Sequence, residues 1–302
     1  MSYSIRNILL FAAAAGALSA NAITTIDIPG ATSTLVTGIS NNGIAVGLYY
    51  DSSNNIHGFE MLANGSLVYP LDDPNATPEP FTTTAPRGVN DSGTIVGQYG
   101  PSVGNGFTLS GATYSAYGVG GDYTHSLAIN DQGDIAGTNV VAGQDEGFLV
   151  IGNNSPVFVN VPGAFATDVV GINDLDDIWG YYSVTVGNSS VQYAFFRTPD
   201  GTITTVGVES VGQIFLGVND DGTLRSTPLF SVPGSNSTNV LAMNDSGEFV
   251  GYYTDNTGNH GFVAEAAPEP ASRMLAAAGL LCLGALRRKK RVPLAADPAY
   301  RL

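Results

Sequence analysis

The chain has 302 residues and a net charge of −15, with 38 glycines but only 11 lysines and arginines. That glycine content is well above the usual ~7% and argues for many turns and few long surface helices. Between Ile23 and Ala264 three basic residues (Arg87, Arg197, Arg225) stand against 23 acidic ones, a balance of −20, which excludes nucleic acid as a partner because such binding needs Lys/Arg to neutralise phosphate.

At the N-terminus Arg6 precedes an apolar, acid-free run from Ile8 to Leu18, followed by Ala20-Asn21-Ala22, the small-x-small pattern that signal peptidase accepts. Residues 1–22 are therefore expected to be a signal peptide, cut after Ala22 through recognition of Ala20 and Ala22 and delivered to the secretion machinery. A buried N-terminal helix is the competing reading. The single cysteine, Cys282, permits no intrachain disulfide, so an exported domain must rest on its core alone.

From residue 23 to 264 one phrase recurs: Gly38-Ile39-Ser40-Asn41-Asn42-Gly43, Gly88-Val89-Asn90-Asp91-Ser92-Gly93, Ala128-Ile129-Asn130-Asp131-Gln132-Gly133, Gly171-Ile172-Asn173-Asp174-Leu175-Asp176, Gly217-Val218-Asn219-Asp220-Asp221-Gly222 and Ala242-Met243-Asn244-Asp245-Ser246-Gly247. The starts are 50, 40, 43, 46 and 25 residues apart, and a period in the forties is the mark of propeller blades or similar arrays. The N-D-x-G core predicts a hairpin turn, since Asn and Asp tolerate the left-handed region and Gly accepts positive φ. A β-branched and aromatic strand follows each turn (Ile95-Val96-Gly97-Gln98-Tyr99), and a third strand carries a recurring phenylalanine (Phe59, Phe107, Phe148, Phe195, Phe262). A fourth strand then leads into the next copy, as in Val159-Asn160-Val161-Pro162-Gly163.

The segment Ile23-Thr24-Thr25-Ile26-Asp27-Ile28-Pro29-Gly30 is that fourth strand without a module before it, while the last module ends after its third strand. This phase shift predicts an all-β, β-propeller-like ring of about five to six four-stranded modules, closed by the N-terminal strand pairing into the last blade. The fifth copy is short and lacks the phenylalanine strand. The phrases resemble the extracellular HAF-type repeats, which implies an extracellular location and brings no defined activity.

No nucleophile elbow, zinc helix or phosphate loop is present. Asp91, Asp131, Asp174, Asp220 and Asp245 share one slot and in a ring would form a circle of acids. That circle is read either as repeated Asx-turn chemistry or as oxygen ligands for Ca²⁺. The best single metal candidate is the cluster Asp174, Asp176, Asp177. Trp179 occupies a slot that elsewhere holds Val46, Val96, Ala136 or Val250, and is read either as blade packing or as a platform for stacking a sugar. His57 and His260 share a repeat position, which favours a structural role.

The C-terminus reads Ala267-Pro268-Glu269-Pro270-Ala271-Ser272, then a 13-residue apolar run from Met274 to Leu286, then Arg287-Arg288-Lys289-Lys290-Arg291. The run is shorter than the ~20 residues of an unstrained spanning helix, and the five cations would stay cytoplasmic. These parts (motif 268–270, apolar helix 271–286, basic cluster 287–291, all within 265–291) resemble the PEP-CTERM sorting signal, and an extension, 292–302, follows. The resemblance implies recognition of Pro268, Glu269 and Pro270 by an exosortase-like membrane protease and delivery towards extracellular polysaccharide.

The expectation is an exported surface or extracellular-matrix protein with a non-catalytic binding or scaffolding domain and no required cofactor. It would carry a transient or permanent C-terminal transmembrane anchor. The rivals are a polysaccharide-acting enzyme (glycoside hydrolase or lyase) built on a propeller and a purely structural surface protein.

Overall fold

The N-D-x-G phrases form the expected tight turns. In the second, Asn90 and Thr94 close the hairpin (Asn90 N to Thr94 O, 3.1 Å), and Gly93 N donates to Asn90 O at 3.0 Å with Gly93 at φ +77°. The fourth phrase has Asp176 in the glycine slot, and it adopts φ +60°, a conformation for which Asp is among the better non-glycine residues. The computed structural model describes residues 20–76, 83–100, 105–206, 213–228 and 230–266.

Each phrase joins the first two strands of a module. The first module is β2 (Ser33–Ile39), β3 (Ala45–Tyr50), β4 (Ile56–Met61) and β5 (Leu67–Leu71); the second is β6 (Thr84–Val89), β7 (Ile95–Tyr99), β8 (Asn105–Ser110) and β9 (Thr113–Tyr117). The third is β10 (Tyr123–Ile129), β11 (Ile135–Val141), β12 (Gln144–Val150) and β13 (Val157–Val159); the fourth is β14 (Ala166–Ile172), β15 (Ile178–Val186), β16 (Ser189–Arg197) and β17 (Ile203–Val206). The fifth has two strands among the described residues, β18 (Gln213–Val218) and β19 (Leu224–Pro228). The sixth is β20 (Ser237–Met243), β21 (Glu248–Thr254) and β22 (Asn259–Ala266), and its fourth strand is β1 (Ala20–Ile26) from the other end of the chain.

The pairing of β1 with β22 is the closure that the phase shift predicts, with Ile23 opposite Ala264 and Ile26 opposite Gly261. Ala20 and Ala22, the expected cleavage pair, lie at the start of β1, and a chain beginning at Ile23 keeps the pairs from Ile23 to Ile26. The architecture is all-β, with several four-stranded antiparallel sheets in a propeller-like arrangement.

Within a module the core is a lock between glycine and phenylalanine. Gly47, Gly97, Gly137, Gly180 and Gly251 on the second strand face Phe59, Phe107, Phe148, Phe195 and Phe262 on the third. All five phenylalanines are fully buried. At Gly47 a Cβ would lie 2.6 Å from the Phe59 ring, so the glycine is the space the ring occupies. Apolar side chains from successive modules then merge: Val46 of the first packs with Val89 and Phe107 of the second, and Leu149 of the third with Val169 and Phe195 of the fourth.

One expectation is corrected here. All regular elements described are strands, and no helix among the described residues is long and apolar enough to cross a membrane. The expected transmembrane helix and the membrane-anchored placement built on it are withdrawn. The physical reason was visible in the run itself, whose 13 residues fall short of the bilayer core. Pro268, Glu269, Pro270, the apolar segment, Arg287 to Arg291 and the extension lie outside the described residues, as does most of the signal segment.

Candidate functional site: the axial chamber

The six turns meet around one axis and are stitched by their side chains. Asp91 Oδ1 accepts from Asn42 N (2.9 Å), Asp131 Oδ1 from Asp91 N (2.7 Å), Asp174 Oδ1 from Asp131 N (2.8 Å) and Asp220 Oδ1 from Asp174 N (2.8 Å). Asp245 accepts from Asp220 N at 3.4 Å, and Asn41 Oδ1 closes the circle by accepting from Asp245 N at 2.9 Å. The repeated acid is thus an acceptor for the backbone of the preceding module, while the neighbouring asparagine performs the Asx-turn work: Asn90 Oδ1 accepts from Thr94 N and Asn130 Oδ1 from Asp134 N.

The asparagines also run a second circuit. Asn90 Nδ2 donates to Asn130 O (3.0 Å), Asn130 Nδ2 to Asn173 O (3.2 Å), Asn173 Nδ2 to Asn219 O (2.9 Å) and Asn244 Nδ2 to Ser40 O (3.1 Å). The fifth module breaks the pattern, because Asn219 Nδ2 turns to Thr223 Oγ1. Arg225 fills the gap: Nε donates to Asn219 Oδ1 at 2.7 Å, Nη1 to Met243 O, and Nη2 pairs with Asp245. Burial pushes the Arg225 guanidinium down, opposed by the charges of Asp245 and Asp220. Asp245 is raised to about 6, by burial first and by its hydrogen bond with Asp220 next, with Arg225 pulling the other way.

Asp174, Asp176 and Asp177 do not converge. Asp174 reaches Asp131 N, Asp176 Oδ1 accepts from Asn130 Nδ2 at 3.0 Å, and Asp177 Oδ2 accepts from Asn173 Nδ2 at 3.3 Å within its own turn. Among the described residues no group of three or more His, Cys, Asp or Glu side chains is placed to hold a metal ion. Burial is the first cause of the raised pKa values of Asp131, Asp176 and Asp177, with Asp134 adding to it at Asp176.

Inside the acid circle the first strand of every module carries a β-bulge. The extra residue is Thr37 in β2, Arg87 in β6, Val170 in β14, Leu216 in β18 and Leu241 in β20, with a wider irregularity after His125 in β10. A bulge re-aims its side chain out of the ladder, and here the five named residues line one chamber of about 330 Å³. Val170 and Leu241 remain 42% and 43% exposed there. A smaller polar recess of about 70 Å³ lies among the turn residues, and Ile39, Val89, Ile129, Ile172 and Arg225 border both spaces.

Trp179 is in the chamber wall, 8% exposed. Its ring fits against two backbones: a Cβ on Gly171 would lie 2.1 Å from it, and one on Gly217 2.3 Å. The Arg225 guanidinium sits over the indole, 5.9 Å from its centroid. Trp179 therefore serves first as packing between the fourth and fifth modules, with one edge to the chamber. The sequence reading missed Arg87 and Arg225, although both were visible as two of only three cations in the repeat region.

The repeat histidines are tied within their modules. His57 stacks on Tyr49 with Nδ1 2.9 Å from Asp72 Oδ1, and His260 stacks on Tyr253 with Nδ1 2.8 Å from Asp27 Oδ1. Each histidine reaches an aspartate at or beyond its module's fourth strand.

No family model matches the chain, and no curated protein matches it. Among solved structures it is similar to a structural-genomics target assigned provisionally as a gluconolactonase (12% identity, TM-score 0.46, covering 82% of this chain and 94% of that one). It is also similar to a gluconolactonase from Xanthomonas campestris (12%, 0.42, 85% and 99%) and to a mannose phosphorylase from Leishmania mexicana (14%, 0.35, 83% and 90%). At these identities and scores no activity transfers. Because chains of this general architecture bear enzyme names, the expectation of a non-catalytic domain is withdrawn as a correction.

Proposed function

We propose that this protein takes a small molecule into its axial chamber, and that the chamber is its working site. The observation that supports this is the bulge ring, which turns one side chain from each of five modules off the repeat pattern and into a shared space. In the turns the repeat-encoded asparagines and aspartates satisfy one another. A concave, mostly apolar space of a few hundred Å³ with a few polar groups is what a small-molecule site requires. The test uses Trp179, the chain's only tryptophan, whose fluorescence reports on the chamber wall. Glucose, glucuronate, benzyl alcohol and benzoate are titrated against the native protein and a Val170→Phe variant. A saturable change lost in the variant supports the site; no response to any probe, or a response that survives the filled chamber, removes it.

A second reading, an enzyme acting on sugars, is favoured by Asp220, which borders the polar recess, and the Asp245 carboxyl hydrogen-bonded to it. A carboxyl group held near 6 is suited to general acid work. Chromogenic glycosides assayed from pH 4 to 7 should then show activity that falls as pH rises through about 6 and that is abolished in Asp245→Asn. The C-terminal motif remains part of the proposal: Pro268, Glu269 and Pro270 mark the chain for an exosortase-like protease. Intact mass from a host bearing such a protease should show tail removal in the native chain and none when the three are alanine.

A further inference from the structure

Arg87 is the bulge residue of β6, set between Pro86 opposite Gly97 and Gly88 opposite Val96. Its guanidinium lines the axial chamber and makes no hydrogen bond or ion pair with any described residue. The neighbouring polar bulge side chain has no donor to spare, because Thr37 Oγ1 donates to Pro86 O at 2.8 Å. Burial pushes the Arg87 pKa down, and Tyr50, at the end of β3 away from the turns, is the ionisable group that opposes the shift. The other cation of the chamber, Arg225, is committed to Asp245, Asn219 and Met243. Among the described residues no carboxylate lines the chamber, and the acids of the turns border only the smaller recess. In a repeat region with a balance of −20, Arg87 is a positive charge that no described residue compensates, in a chamber walled by Val170, Leu216 and Leu241.

A desolvated, unpaired guanidinium is costly, and a carboxylate is its natural two-point partner. The walls formed by Val170, Leu216 and Leu241 suit an apolar ligand body. A doubly charged phosphate is disfavoured by the acid-rich surroundings and by having only one free cation to meet it. We propose that the axial chamber binds a small amphipathic monocarboxylate, with its carboxylate on Arg87 and its apolar body against Val170, Leu216 and Leu241. This rests on the chamber being a binding site at all.

The experiment follows Trp179 fluorescence and calorimetry on the whole chain with four probes: benzoate, benzyl alcohol, glucuronate and inorganic phosphate. Benzoate is expected to bind at least tenfold more tightly than benzyl alcohol. Arg87→Gln should bring the two within twofold while benzyl alcohol binding stays, and Arg87→Lys, which keeps the charge but not the fork, should fall between. Equal binding of benzoate and benzyl alcohol overturns the inference and leaves the chamber standing. No binding by any probe removes the chamber reading itself. Glucuronate or phosphate binding more tightly than benzoate replaces the proposed class with a sugar acid or a bare anion. The benzoate to benzyl alcohol ratio in the native protein decides the matter even where the Arg87 variants fail to fold.

Discussion

The seam between the third and fourth modules and the seam between the fifth and sixth do the same job with different parts. At the first, Asn130 Nδ2 donates to Asn173 O and Asp174 accepts from Asp131 N, both contacts written by the repeat. At the second, the asparagine is diverted to Thr223, and one long cation, Arg225, reaches Asn219, Met243 and Asp245. The repeat supplies a seam that works without individual residues, whereas the shortened module depends on one side chain. That side chain also stands over Trp179, so the place where the pattern lapses is also where unique residues gather.

The largest expected effect comes from breaking what the intact modules have and the fifth lacks. Phe195→Ala removes the ring that faces Gly180, and urea unfolding should show a loss of about 3–5 kcal/mol. Next is the comparison of the seams. Arg225→Met strands Asn219 Oδ1, Met243 O and Asp245 together and should cost about 2–4 kcal/mol. Asn130→Ala removes a single ladder donor and should cost about 1–2 kcal/mol. Equal losses would mean that the fifth seam is no more dependent on one residue than the others.

The same substitution sharpens the acid chemistry. Asp245 titrates near 6 in the fold, above the unfolded value of about 3.9. Its protonation therefore favours the fold at low pH, and that contribution is lost as pH rises through about 6. In Arg225→Met the guanidinium that pulls the value down is gone, and carboxyl NMR should place the midpoint higher still. The smallest effect is expected at Asp91→Asn, within about 0.5 kcal/mol of the native protein. The amide oxygen can still accept from Asn42 N, as Asn41 already accepts from Asp245 N. A large loss there would mean that the circle needs its charge, and would return a cation to consideration.

Much of the fold was legible because it is periodic. The N-D-x-G turns, the glycine opposite each phenylalanine and the displaced fourth strand at Ile23 each repeat, so one correct reading serves several modules. The site was legible only in outline. The shared slot of the acids was plain, but whether Asp131 bonds its own turn or the preceding module depends on inter-module spacing that no local pattern encodes. Trp179 stood out as an exception, yet its packing against Gly171 and Gly217 joins residues of two modules. The bulges at Arg87 and Leu241 left no mark in composition, since an extra residue in a strand is visible only against its partner.

The closing strand also sets an order of events. β1 leaves the ribosome more than two hundred residues before its partner β22. Until then Ile26 and Ile28 have no sheet to complete, and the edge of β22 does not yet exist. Contacts of such long separation form slowly, so the early modules can settle on their own hairpins while the circle waits. Assembly of this protein is thus a process with a definite last step, and amide exchange pulsed during refolding should find β1 and β22 protected together and latest.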